Sequence, residues 1–169
     1  LLEDSARLLI VGGGPKLESL KQQVKDFGLE DRVVFTGPVP SDSIHHLYQA
    51  SDVFVSSSIR ESQGLGFVEA MASGLPVILC EDGSLGFSIE DSGCGFLYHD
   101  ERGFVSILSS LIANPADIKK MGERARTESE RFNLDRWACS LSSLCCRLQA
   151  EFSLKAGDQP NHRGHDEQG

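Results

Sequence analysis

Two carboxylates carry most of the chemistry that this chain offers. Glu61 and Glu69 bracket the run Glu61-Ser62-Gln63-Gly64-Leu65-Gly66-Phe67-Val68-Glu69, which continues as Ala70-Met71-Ala72-Ser73-Gly74-Leu75-Pro76. Upstream, Val53-Phe54-Val55 reads as a buried strand, and downstream Gly74 and Pro76 close a helix before the apolar run Val77-Ile78 begins. The order is strand, loop, helix, strand, with Glu61 in the loop and Glu69 on the helix. The first N–H groups of such a helix, around Gly64, Leu65 and Gly66, lack intrahelical partners and favour an anion. Two acids facing that anion would repel it. Their better use is to accept charge-assisted hydrogen bonds from hydroxyls at either end of it. A nucleotide sugar has hydroxyls on both sides of its pyrophosphate, on the ribose and on the transferable sugar. The plainer alternative makes Glu61 a helix cap and Glu69 a solvated helix residue. The buried-type neighbours Ala70, Met71 and Ala72 argue against ordinary exposure of Glu69.

The elements that must position these groups alternate along the chain. Residues 16–27 carry Leu17, Leu20, Val24 and Phe27 at helical spacing, and Gly28 is the expected stop. Ser41 is the expected cap of a short helix bearing Ile44, Leu47 and Tyr48. Phe104, Ile107, Leu108 and Leu111 make a further amphipathic face, and Trp137, Leu141, Leu144 and Leu148 a last one. Strands between helices predict an α/β, Rossmann-like fold: a mostly parallel sheet with helices on both faces. Right-handed crossovers then bring the functional loops to one edge. The expected domain spans residues 1–152, and the polar residues 153–169 read as a disordered tail.

The carboxylate run resembles the Glu-x7-Glu motif of retaining GT-B glycosyltransferases, the large group 1, family 4 type that includes lipopolysaccharide mannosyltransferases, glycogen synthases and sucrose synthases. Further motifs follow in the family's order. Leu8-Leu9-Ile10-Val11-Gly12-Gly13-Gly14-Pro15 resembles its strand and glycine turn, and Leu29-Glu30-Asp31-Arg32-Val33-Val34-Phe35-Thr36-Gly37 its next loop and strand. Leu47-Tyr48-Gln49-Ala50-Ser51-Asp52-Val53-Phe54-Val55, Gly95-Phe96-Leu97 and Asn114-Pro115 stand where the family has corresponding segments. The resemblance implies one half of a GT-B fold, the donor-binding half. It implies that Glu69 holds ribose hydroxyls and that Glu61, the catalytic candidate, faces hydroxyls of the transferred sugar. Backbone N–H groups of Gln63, Gly64 and Leu65 would reach sugar or phosphate, Gly13 and Gly14 would lie near the nucleotide, and the base would pack near Thr36-Gly37-Pro38-Val39. The donor, UDP- or GDP-linked, is substrate rather than cofactor, and no metal is expected. An N-terminal acceptor domain of the same protein is the implied partner, together with an upstream Arg and Lys for the pyrophosphate; the start at Leu1 without a methionine fits a fragment. Two positions depart from the family: Gln63 replaces a common aromatic residue, and Phe87 stands where a Glu is frequent. The latter keeps open a non-catalytic nucleotide-binding or scaffolding module. A sugar-nucleotide epimerase of related architecture is disfavoured by the long Glu-x7-Glu run.

At 169 residues the chain makes one domain. Its formal net charge of −9 argues against a nucleic-acid surface. No apolar run reaches the length of a membrane span. Five cysteines, Cys80, Cys94, Cys139, Cys145 and Cys146, lack metal-ligand spacing and fit a reduced compartment, so the expected location is cytoplasmic, compatible with membrane-peripheral association. Cys145 and Cys146 read as small core residues of an apolar helix face rather than acylation sites. Gly12-Gly13-Gly14 fails as a dinucleotide fingerprint because Leu17 stands at the third glycine position. His45 and His46 begin no metal pattern and read as a solvated surface pair.

Overall fold

The computed structural model describes residues 6–58, 65–81 and 89–157. Among these residues five strands, β1 (Leu8–Val11), β2 (Val33–Gly37), β3 (Phe54–Ser56), β4 (Val77–Cys80) and β5 (Gly95–Tyr98), alternate with α1 (Leu17–Asp26), α2 (Ile44–Gln49) and α3 (Leu65–Ala72), then lead into α4 (Glu101–Ala113) and α5 (Pro115–Ser129). All pairings are parallel: β1 with β2, and β3 with β4 and β4 with β5. The expected single sheet thus appears as two parallel ladders. β3 is short, with three ladder residues paired to β4.

The packing follows from period-two alternation in β4, whose Val77, Ile78 and Leu79 are all buried, as expected of a strand covered on both faces. Val77 and Leu79 join Phe67, Ala70 and Met71 of α3 and Ala125 of α5 in one cluster. Ile78 points the other way, to Leu111 of α4, Met121 of α5 and the flanking Phe104, Ile107 and Leu108. Helices therefore lie on both faces, and the predicted apolar face of α4 is the one that packs.

Helix ends match the sequence at most positions. α1 and α3 both close in a Schellman motif: Gly28 N–H bonds Lys25 O and Leu29 N–H bonds Val24 O, while Gly74 N–H bonds Met71 O and Leu75 N–H bonds Ala70 O. Both glycines have positive φ, 63° and 86°, a conformation that costs a residue with a Cβ about 1–2 kcal/mol. Asp100 caps α4 by accepting from Gly103 N–H at 2.7 Å. Asn114-Pro115 breaks α4 from α5, with proline at the first helical turn where its missing N–H costs nothing. The cap of α2 differs from expectation. Ser43, not Ser41, precedes it, and its hydroxyl donates to Asp42 Oδ1 instead of accepting from the helix.

Residues from Arg131 form a separate unit built on α6 (Leu134–Gly157). The predicted face of Leu141, Leu144 and Leu148 is exposed there, and so are Cys145 and Cys146, which are not core residues. They project from a long helix and are exposed among the described residues. The helix also runs past Ser153 to Gly157, into the segment expected to be a tail; residues 158–169 lie outside the described residues. No helix among the described residues is long and apolar enough to cross a membrane.

Candidate functional site

Parallel strands of one ladder send their loops out of the same edge, and each ladder presents candidate residues at its own carboxyl edge. At the carboxyl ends of β1 and β2, Gly12 N–H bonds Gly37 O at 2.9 Å, and Val11 pairs with Gly37 across a register shift. A Cβ placed on Gly13 would sit 3.4 Å from Pro38 Cγ, so the two loops touch. The Thr36 hydroxyl donates to Gly37 O at 2.9 Å. Gly13, Gly14, Gly37 and Val39, named from the sequence, are thereby gathered into one loop pair, with Gly13 and Gly14 exposed and Val39 half-buried.

The second group lies on α3. Glu61, Gln63 and Gly64 fall outside the described residues, as does Phe87. Leu65 begins the helix and is 63% exposed, consistent with a position at its open end. Glu69 stands one turn further. Its neighbours Ala70 and Met71 point into the core, but Ala72 and Glu69 itself are exposed, contrary to the expectation drawn from Ala70, Met71 and Ala72. On a helix, residues adjacent in sequence are separated by about 100°, so a buried flank does not bury the residue between.

Its carboxylate is nonetheless engaged. The Tyr48 hydroxyl, from α2, donates to Glu69 Oε2 at 3.1 Å. The Tyr48 ring packs near Phe54 of β3, centroids 6.2 Å apart and tilted by 58°. Burial, reinforced by the hydrogen bond to Glu69 and its charge, pushes the Tyr48 phenol up to about 12. It therefore stays protonated, a donor, around neutral pH.

Sequence reasoning missed Tyr48 as a partner of Glu69 and missed a third edge feature. Glu81 and His99 each follow their strand by one residue, and their side chains meet at 2.7 Å. Because Cys80 pairs with Tyr98 in the β4–β5 register, the next residues are neighbours. Parallel pairing of two strands already legible in the sequence would have found that pair. The Tyr98 hydroxyl ties β5 to β3 through Ser56 O at 3.3 Å. His45 and His46 are exposed, as expected, and no cluster of metal-ligating side chains occurs among the described residues.

Comparison with known proteins bears on the family and the fold. Residues 1–128 match the family described as Glycosyl transferases group 1. The chain is 40% identical over 114 residues to the alpha-monoglucosyldiacylglycerol synthase of Streptococcus pneumoniae, covering 67% of this chain and 26% of that protein. It is 32% identical over 157 residues to the D-inositol 3-phosphate glycosyltransferase of Streptomyces bingchenggensis, covering 85% and 34%. The chain thus spans about a quarter to a third of the length of these relatives. Among solved structures it is similar to sucrose-phosphate synthase from Thermosynechococcus elongatus, with a TM-score of 0.74 at 29% identity, covering 86% of this chain and 39% of that one. It is also similar to Anabaena HepE in complex with UDP, with a TM-score of 0.70 at 25% identity, covering 84% and 42%. An α/β, Rossmann-like domain with parallel strands, carrying a match over most of its length, belongs to the glycosyl transferases group 1 family.

Proposed function

We propose that this chain is the donor-binding half of a retaining glycosyltransferase that moves a sugar from a UDP- or GDP-linked donor to an acceptor held by an N-terminal domain of the same protein. The observation that supports it best is Glu69: an exposed carboxylate one turn into the helix after β3, already oriented by a neutral donor, on a chain of this family. Glu69 accepts hydrogen bonds from the ribose hydroxyls. Glu61 takes the hydroxyls of the transferred sugar, and the N–H groups of Gln63, Gly64 and Leu65 meet the sugar or phosphate. The base rests against the loop pair of Gly13, Gly14, Gly37 and Val39. Fixed N–H donors at the start of α3 stabilise the charge that develops on the leaving pyrophosphate, so the proposal needs neither a chelated metal nor a cofactor. Attack from the face that the nucleotide leaves, with the leaving phosphate accepting the acceptor's proton, keeps the donor's anomeric configuration without a protein nucleophile.

Phe87, at a position where the family frequently has Glu, supports a second reading: a nucleotide-binding or scaffolding module that kept the fold and lost turnover. The full-length protein separates the two. With a defined α-linked donor, proton NMR of the first product should show an α linkage, and activity should survive EDTA. A β-linked product would remove the retaining assignment, abolition by EDTA with rescue by manganese would remove the metal-free mechanism, and absence of transfer with intact nucleotide binding would favour the module.

A further inference from the structure

The contact between Tyr48 and Glu69 joins elements 21 residues apart. The Tyr48 ring is held on one side by Phe54 and belongs to the apolar fringe of the cluster formed by Phe67, Ala70 and Met71. Its hydroxyl therefore has a fixed position, while Glu69 is a long side chain on an exposed helix face. Left to itself, a glutamate at such a place samples several rotamers, and a ligand that binds it must bear the loss of that freedom. A donor held at the edge of the core reduces this cost beforehand. The donor is neutral, so it orients the carboxylate without cancelling the charge that makes it a strong acceptor. Bonding at Oε2 leaves Oε1 as the oxygen that Tyr48 does not engage. A carboxylate has about four lone-pair sites in all, enough for Tyr48 and two further hydroxyls.

We infer that Tyr48 is a positioning residue for donor recognition: through its hydrogen bond to Oε2 it aims the Glu69 carboxylate at the vicinal hydroxyls of the nucleotide ribose. The inference rests on the proposed role of Glu69 and adds to it a residue from a different element. It also predicts a specific chemical signature. The benefit of the Tyr48 hydroxyl should be felt by ligands that have ribose hydroxyls and not by those that lack them.

Tyr48→Phe keeps the ring against Phe54 and removes only the donor. Titration of the chain with UDP and GDP, and with their 2′,3′-dideoxy counterparts, by calorimetry or NMR reads the effect, with the melting temperature recorded for each variant. Loss of the preorganisation of one side chain should raise the dissociation constant for the ribose-bearing nucleotide roughly three- to tenfold and leave the dideoxy ligand almost unchanged. In a Glu69→Ala background the same substitution should cause no further loss. Equal weakening of both ligands, no weakening of either, or an additional loss in the Glu69→Ala background would each overturn the positioning role and leave Tyr48 as a packing residue. A wild-type chain that binds the ribose and dideoxy forms equally would instead overturn the role of Glu69 itself, and one that binds no nucleotide would overturn the proposed function.

Discussion

The two parallel ladders of this domain are built to different standards. Around β4, both faces are closed: Val77, Ile78, Ala70, Met71 and Ala125 have no accessible surface, and three helices supply the cover. Around β1 and β2, none of the residues of α1 is buried, Leu8 and Val34 are each 49% exposed, and Phe27 is 74% exposed. Glu69 and Tyr48 stand on the first scaffold, the glycine loops on the second. A side chain that must hold a set geometry gains from a rigid support, whereas loops that contribute backbone and surface tolerate a thinner one. The difference between a sealed core and an open edge is measurable by substitution.

The largest effect should come from a single added carbon. A Cβ on Gly95 would run into the Val77 carbonyl oxygen and press on Ile89 Cγ2 at 2.8 Å, opposite a Val77 that is wholly buried. Gly95→Ala should therefore lose about 3 kcal/mol or more of unfolding free energy in urea. Gly13→Ala, whose new carbon would meet Pro38 Cγ at 3.4 Å in the open loops, should lose about 1 kcal/mol or less. Similar losses at both sites would erase the contrast between the two regions.

Truncation sharpens the same comparison at lower amplitude. Ile78→Ala removes a side chain with no exposed surface from between two helices and should cost about 2–5 kcal/mol. Val34→Ala, half exposed on β2, should cost about 1 kcal/mol or less. Urea midpoints measured with unchanged slope would report the pair. A Val34 variant as damaged as the Ile78 variant would mean that something covers β2 in solution.

The smallest effect is a proton. Tyr48 and Tyr98 are the two tyrosines of the chain, and burial raises both phenols, Tyr48 to about 12. A phenol whose folded pKa lies above its unfolded value stabilises the fold fully below about pH 10, and that contribution is lost as pH rises through about 12. Absorbance of tyrosinate during alkaline titration should therefore show Tyr48 as the most alkaline step, removed in Tyr48→Phe. Loss of a step near pH 10 in that variant, in place of the most alkaline one, would mean that the hydroxyl is not shielded against Glu69 in solution.

Much of this was legible in the sequence because the signals were local. Gly28 and Gly74 mark helix ends since left-handed caps need them, Asn114-Pro115 marks a break, and Phe104 to Leu111 shows its buried face by spacing alone. What failed depended on neighbours distant in the chain. Glu69 looked buried by association with Ala70 and Met71, yet helix geometry turns it outward. Ser41 and Ser43 are equally good caps on paper, and the choice is made by where the chain turns. Leu141, Leu144 and Leu148 have the spacing of a core face, but spacing cannot show what lies opposite. Tyr48 was visible within a familiar segment, but its bond to Glu69 needs the tertiary placement of α2 beside α3.

The central claim is that Glu69 grips the nucleotide ribose while Glu61 attends to the sugar beyond the pyrophosphate. Calorimetry of the wild-type chain, Glu69→Ala and Glu61→Ala with UDP, GDP and the corresponding sugar-linked donors tests it directly. A charge-assisted bond to ribose contributes about 1.5–3 kcal/mol, so Glu69→Ala should weaken nucleoside diphosphate binding by roughly ten- to a hundredfold. Glu61→Ala should leave that binding nearly intact and weaken only the sugar-linked donor. Equal losses for both ligands in both variants would contradict the division of labour between the two carboxylates.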